Sequence, residues 1–127
     1  MPHFTVVLGE EHLGGGAEKA LISGLAEAVG AVFGERLRQV AVVEVFGVPP
    51  GRRGVGGVPA TENAPVVTLN LREGAFHLPT VPDAEVRLIT EISDAVGSAY
   101  DEGVRGRTTV QLFGIPPGRS GEGGEVA

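Results

Sequence analysis

Apolar residues recur at helical spacing in two separate segments of the chain. The first stripe consists of Leu21, Leu25, Ala28, Val29, Val32 and Phe33, and the second of Leu88, Ile92, Ala95, Val96 and Ala99. Residues at this spacing share one face of a helix. Apolar runs flank each stripe and predict strands, at Phe4–Leu8 and Val40–Phe46 around the first and at Val66–Leu71 and Thr108–Phe113 around the second. The order strand, helix, strand therefore occurs twice.

The two segments are also related in sequence. When residues 18–57 are compared with residues 85–124, 67 positions further on, 18 of the 40 positions are identical. The matches include helical residues as well as the Gly- and Pro-rich stretches that start at Phe46 and Phe113. Such internal similarity indicates a duplicated structural unit. We expect one domain, residues 1–127, made of two repeats, residues 1–61 and 62–127.

Each repeat predicts a β-α-β unit with parallel strands and a right-handed crossover. Two units side by side give an α+β fold, with a four-stranded sheet and both helices on one face. The run Val40–Phe46 is apolar at successive positions, which predicts that the other sheet face is buried as well, most simply in another subunit. We expect a linker at Val58–Ala64 and a helix cap within Thr80–Asp83.

Composition excludes several classes of protein. The chain of 127 residues has no cysteine, which rules out disulfides and thiolate metal sites. Its formal net charge of −6 argues against a nucleic-acid partner, because proteins that bind nucleic acids typically have a basic surface patch. Its apolar runs are far shorter than the roughly 20 residues of a membrane helix, and its first residues lack the features of a signal peptide. We therefore expect a cytoplasmic protein that binds neither nucleic acid nor membrane.

Pro2 is the first candidate for chemistry. Loss of Met1 would leave a secondary amine at the start of a predicted strand. An α-amino group has a pKa near about 7.7–8.0, and an apolar pocket or a nearby cation lowers it, which favours a neutral base at pH 7. Pro65 begins the second repeat in the same way, but its nitrogen is an amide and has no basic lone pair.

Met1-Pro2 before a strand, the tandem β-α-β pattern and Gly54-Val55-Gly56-Gly57 together resemble the tautomerase superfamily. The resemblance spans nearly the whole chain and is strongest to the cis-3-chloroacrylic acid dehalogenase branch, through the segment Val67–Gly74. It implies a fused chain of the 4-oxalocrotonate tautomerase type that forms homotrimers. It also implies that the N-terminal proline acts as acid or base while arginines hold a substrate carboxylate, without a cofactor.

Two further site residues follow from this resemblance. Arg72 falls where the dehalogenase branch has a carboxylate-binding arginine, and Glu122 falls near its water-activating glutamate; either is also compatible with a solvated surface side chain. The chain departs from that branch at other site positions, which hold Val29, Ala75 and Leu112. These departures argue against dehalogenation but leave keto–enol transfer on a monocarboxylate open.

The sequence thus predicts a cofactor-independent isomerase. Pro2 would be the general base, Arg72 and Glu122 would contact the substrate, and no metal would be bound. The substrate would be a small carbonyl or enol acid. Two alternatives remain open. In the first, the chain is a hydratase, decarboxylase or cyclase whose chemistry depends on Pro2. In the second, it is a catalytically inactive binding or assembly subunit.

Overall fold

The computed structural model describes residues 1–127. Its strands are β1 (His3–Gly9), β2 (Val42–Val48), β3 (Gly54–Val55), β4 (Val58–Pro59), β5 (Val66–Arg72), β6 (Thr109–Ile115), β7 (Gly121–Glu122) and β8 (Glu125–Val126). Its α-helices are α1 (Ala17–Phe33), α2 (Glu35–Val40), α3 (Ala84–Ala99) and α4 (Glu102–Arg107). Short 3₁₀ turns, Glu10–His12 and Glu73–His77, follow β1 and β5. None of the helices combines the length and apolarity needed to cross a lipid bilayer.

The four long strands form one sheet in the order β2-β1-β5-β6. β1 pairs with β2 and β5 pairs with β6, both in parallel, as expected for two β-α-β units. The two central strands, β1 and β5, are antiparallel, with Thr5 opposite Thr68. The predicted α+β fold is confirmed, and an approximate twofold axis passes between the two units.

One hydrophobic core joins the sheet to α1 and α3. Alternate residues of the central strands face it and are almost fully buried: Phe4, Val6, Leu8, Val67, Leu69 and Leu71. The helix stripes predicted from the sequence supply Leu21, Leu25, Leu88 and Ile92 to the same cluster. Burial of this surface is the main favourable term for folding, and it places both long helices on one face of the sheet.

The opposite sheet face is more polar than the sequence predicts. Glu44 lies in the middle of β2 on this face and pairs with His3, with 2.6 Å between Nε2 and Oε1. Glu44 interrupts the predicted apolar character of Val40–Phe46 on this face, but its neighbours there, Val42 and Phe46, are apolar as predicted. Phe46 and Phe113 hold equivalent positions on this face, and each is 51% exposed.

Several predicted boundaries also differ from the structure. Val40 ends the short helix α2, so β2 starts at Val42, and Thr108 likewise precedes β6. The predicted linker at Val58–Ala64 is partly structured, since Val58–Pro59 pairs with β3 in a small hairpin. Asp83 precedes α3 as a cap residue, but its side chain makes no capping hydrogen bond.

Candidate functional site

Pro2 lies at the start of β1 and is almost completely buried. Its carbonyl accepts a hydrogen bond from the Val42 amide at 2.9 Å, which fixes the residue between the two strands of the first unit. Met1 precedes it and is 56% exposed. Pro2 therefore has a rigid position, and Met1 lies between its nitrogen and solvent.

A cleft of about 640 Å³ surrounds Pro2. One wall comes from the end of α1 and from α2, and the other from the end of β5 and the loop that follows it. The remaining lining residues are Met1, Phe33, Arg36, Leu37, Val40, Leu71, Arg72, Gly74, Ala75 and Leu78. The cleft is thus mainly apolar and contains two guanidinium groups and no carboxylate.

Arg72, predicted as a substrate-binding residue, ends β5 and lines this cleft. Arg36 lines it from the other wall and was not predicted. Neither guanidinium has an ion pair or hydrogen bond within the chain, and the same holds for Arg52 and Arg119, which line neither this cleft nor the one beside it. The other five arginines are engaged: Arg38, Arg53, Arg87, Arg105 and Arg107. Two unpaired cations therefore face one apolar cleft next to Pro2.

The position of Arg36 follows from the turn between α1 and α2. Gly34 has φ of 99°, a left-handed conformation that favours glycine and lets the chain change direction at once. Two residues after Arg36, Arg38 folds back onto Glu35, with 2.7 Å between Nε and Oε2. This hydrogen bond holds the pKa of Glu35 below its usual value and raises that of Arg38. Glu35 is therefore engaged with Arg38, and Arg36 keeps its charge available.

A second, more polar cleft of about 340 Å³ adjoins the first. Its lining residues are Met1, His3, Asn70, Arg72, Ile115, Ser120, Gly121, Glu122 and Ala127. Arg72 and Glu122 therefore lie in one cleft, as Arg72 and Pro2 do in the other. Pro2 and Glu122 share no cleft, and Met1 and Arg72 are the two residues common to both.

Chemically, the arrangement suits a small anion. A guanidinium donates paired hydrogen bonds that match a carboxylate. Apolar walls exclude water and strengthen such contacts. An amine at Pro2 in this environment would lie beside fixed positive charge, which disfavours its protonated form.

No model of a known protein family matches the sequence, and no curated protein matches it. Solved structures do. F6 fused 4-OT, described as a wild-type asymmetric trimer, is 24% identical with a TM-score of 0.81, over 98% of this chain and 95% of that one. Pt0534 inactivated by 2-oxo-3-pentynoate is 20% identical with a TM-score of 0.79, over 98% and 95%. N1, a member of the cis-3-chloroacrylic acid dehalogenase family, is 14% identical with a TM-score of 0.76, over 98% and 82%.

Proposed function

We propose that this chain, which has the fold of the tautomerase superfamily, is a cofactor-independent isomerase that moves a proton between carbon and oxygen on a small keto or enol acid. Pro2 is the general base and then the acid. Arg36 and Arg72 hold the substrate carboxylate. Glu122 contacts the substrate from the adjoining cleft.

The observation that carries this proposal is the pair of unpaired arginines beside a buried proline. Arg36 and Arg72 belong to different elements, α2 and β5, and meet only at the cleft that Pro2 lines. An arginine without a partner in an apolar cleft stabilises the fold little, whereas it binds an anion well. Structural arginines in this chain, such as Arg38 and Arg105, instead pair with neighbouring carboxylates.

The proposal requires that Met1 is removed. With Met1 attached, the Pro2 nitrogen is an amide and has no basic lone pair. Met1 lines the cleft itself and is more than half exposed, so its loss both frees the amine and opens the space above it. The hydrogen bond from Val42 to the Pro2 carbonyl does not depend on Met1 and would keep the ring in place.

The first test is ketonisation of phenylenolpyruvate, followed by absorbance, with protein shown by mass to start at Pro2. We expect a rate above buffer that falls by about 10²-fold or more in protein that retains Met1, whose Pro2 nitrogen is an amide, since general base catalysis contributes about 10²–10⁴-fold. Pro2→Ala keeps a primary N-terminal amine and should be slower than the wild type, because it loses the fixed orientation of the ring amine. Full activity in protein that retains Met1 would exclude Pro2 as the base, and no rate in either protein that lacks Met1 would favour a binding subunit.

A second test uses 2-oxo-3-pentynoate, the compound in the Pt0534 structure. A neutral amine adds to the conjugated alkyne, forming an N–C bond while a proton goes to the adjacent carbon, so the peptide gains the whole mass of the reagent. We expect this mass on the peptide that begins with Pro2. Protein that retains Met1 is the control and should gain nothing there.

We also propose that residues 1–61 and 62–127 are repeats of one unit and that the chain forms a homotrimer. Support for the trimer comes from F6 fused 4-OT, described as a trimer, and from Phe46 and Phe113, which are half exposed on the open sheet face. Sedimentation velocity should give about three times the chain mass of 13.0 kDa. Sedimentation as a monomer at micromolar concentration would contradict the trimer and leave the Pro2 proposal intact.

A further inference from the structure

We infer that the polar cleft beside Arg72 is a subsite for a hydrogen-bond-donating group at the end of the substrate remote from its carboxylate. The cleft is lined by His3, Asn70, Ser120 and Glu122, among others. This inference rests on the proposed function, because it assumes that the substrate carboxylate is bound in the cleft beside Pro2. It narrows the substrate class to monocarboxylates that carry a hydroxyl, amide or ammonium group.

The approximate twofold axis shows what fills the corresponding space at the other end of the sheet. There, Arg53 is the residue equivalent to Ser120, and each directly follows a Pro-Pro-Gly-Arg segment. Its guanidinium donates hydrogen bonds to the carbonyl of Ala64 at 2.7 Å and to that of Val7 at 3.4 Å. The strands β1 and β5 correspond at a shift of 63 residues, with Pro2 equivalent to Pro65. Ala64 and Val7 are therefore the equivalents of Met1 and Asn70, which line the polar cleft.

The local backbone is the same at both ends, so the difference lies in the side chains. The amide of Ala60 donates to the Arg53 carbonyl at 2.7 Å, and the amide of Ala127 donates to the Ser120 carbonyl at 2.8 Å. A short serine in place of arginine leaves the space open. The polar cleft therefore includes an open recess at the position that the Arg53 side chain fills at the other end.

The lining residues that differ between the two ends of the sheet determine which chemical groups the polar cleft can bind. Glu122 stands where the other end has Val55, and Asn70 stands where it has Val7. A carboxylate accepts hydrogen bonds and repels a second anion, so a donor fits the recess and a second substrate carboxylate does not. Arg72 borders both clefts and can hold an acid that extends from one to the other.

Equilibrium binding tests the subsite without depending on turnover. The probes are 3-phenylpropanoate and its meta- and para-hydroxylated forms, measured by calorimetry on protein that starts at Pro2. We expect at least one hydroxylated acid to bind about tenfold more tightly than the plain acid, the gain typical of one hydrogen bond to a charged acceptor. In Ser120→Arg, whose side chain would fill the recess as Arg53 does, this ratio should fall to about one.

Glu122→Ala is the second variant, since it removes the acceptor without adding bulk, and it should also abolish the preference. Ser98→Arg, at an exposed position of α3, is the matched control and should keep the wild-type ratio. Equal affinities in the wild-type protein, or a preference that persists in both recess variants, would overturn the inference. So would failure of all three acids to bind. The phenylenolpyruvate kinetics judge the proposed function separately, because the only hydroxyl of that substrate is the enol next to its carboxylate and its remote phenyl end carries no hydrogen-bond donor.

Discussion

The two ends of the sheet, one at Pro2 and one at Pro65, share a backbone but differ in chemistry. The carbonyls of both prolines accept a hydrogen bond from the neighbouring parallel strand, at 2.9 Å for Pro2 and 3.0 Å for Pro65. The two arginines of the Pro2 cleft have glycine equivalents at the other end, Gly103 for Arg36 and Gly9 for Arg72. The Pro65 end also has arginines, Arg53 and Arg107, but they are engaged with the Ala64 carbonyl and with Glu62. The unpaired guanidiniums of Arg36 and Arg72 are therefore found only at the Pro2 end.

The Pro65 end is closed by packing and by the linker. The Asn63 carbonyl accepts a hydrogen bond from the Gly9 amide at 2.7 Å, and Arg53 ties down Ala64. The rings of His12 and Tyr100 meet edge to face, with 5.4 Å between their centroids. Residues repeated between the units, including Pro2 and Pro65, thus share structural positions, whereas positions that differ, such as Arg36 and Arg72, distinguish the cleft at Pro2.

The largest effect should come from the repeated core. Leu21 and Leu88 are equivalent, and both are completely buried. Replacing either by alanine should lower the free energy of unfolding by about 2–5 kcal/mol through lost burial and the cavity left behind. Urea denaturation of the two variants measures this. A large cost for one and almost none for the other would show that the two units do not contribute equally to the fold.

An intermediate effect should separate a site arginine from a structural one. Arg36→Ala should lower kcat/KM for phenylenolpyruvate by about 10- to 100-fold, because it removes a charge-assisted hydrogen bond to the carboxylate. Arg38→Ala is the matched control two residues away, since its guanidinium pairs with Glu35 rather than facing the cleft. Equal losses in both variants would indicate that disruption of α2, and not anion binding, explains the result.

The smallest effect concerns Tyr100 at the closed end. Burial, and then the nearby charge of Glu18, raise the pKa of its hydroxyl above the usual value. A phenol whose pKa is raised by folding contributes stability below its unfolded pKa of about 10, and this is lost as pH rises through the folded pKa. Tyr100 is the only tyrosine, so absorbance at 295 nm follows it directly. Equal midpoints in native and urea-unfolded protein would contradict this.

The sequence predicted the fold well because its evidence is periodic and repeated. The helix stripes that include Leu21 and Leu88 lie in the core as expected. The short helices α2 and α4 were not predicted, because six residues are too few for a clear apolar stripe. The sequence features that mark the starts of these helices are Gly34 before α2 and Asp101 before α4. The Asp101 carboxylate accepts a hydrogen bond from the Val104 amide at 2.8 Å.

Arg36 lies in the cleft beside Pro2 but was not singled out from the sequence. Its equivalent in the second repeat is Gly103, so a comparison limited to identities between the repeats passes over it. The division into two clefts depends on Met1 and Arg72 lying between them, a tertiary arrangement that spacing along the chain does not reveal.

The covalent connection through residues 60–65 has a consequence for stoichiometry. The Pro2 cleft combines Arg36 from the first unit with Arg72 from the second. Two copies of the same unit would place only one of these arginines at each end of their sheet. A six-residue tether makes each pair contain one unit of each kind, at an effective concentration far above that of free subunits. The linker thus fixes the count at one two-arginine cleft per chain.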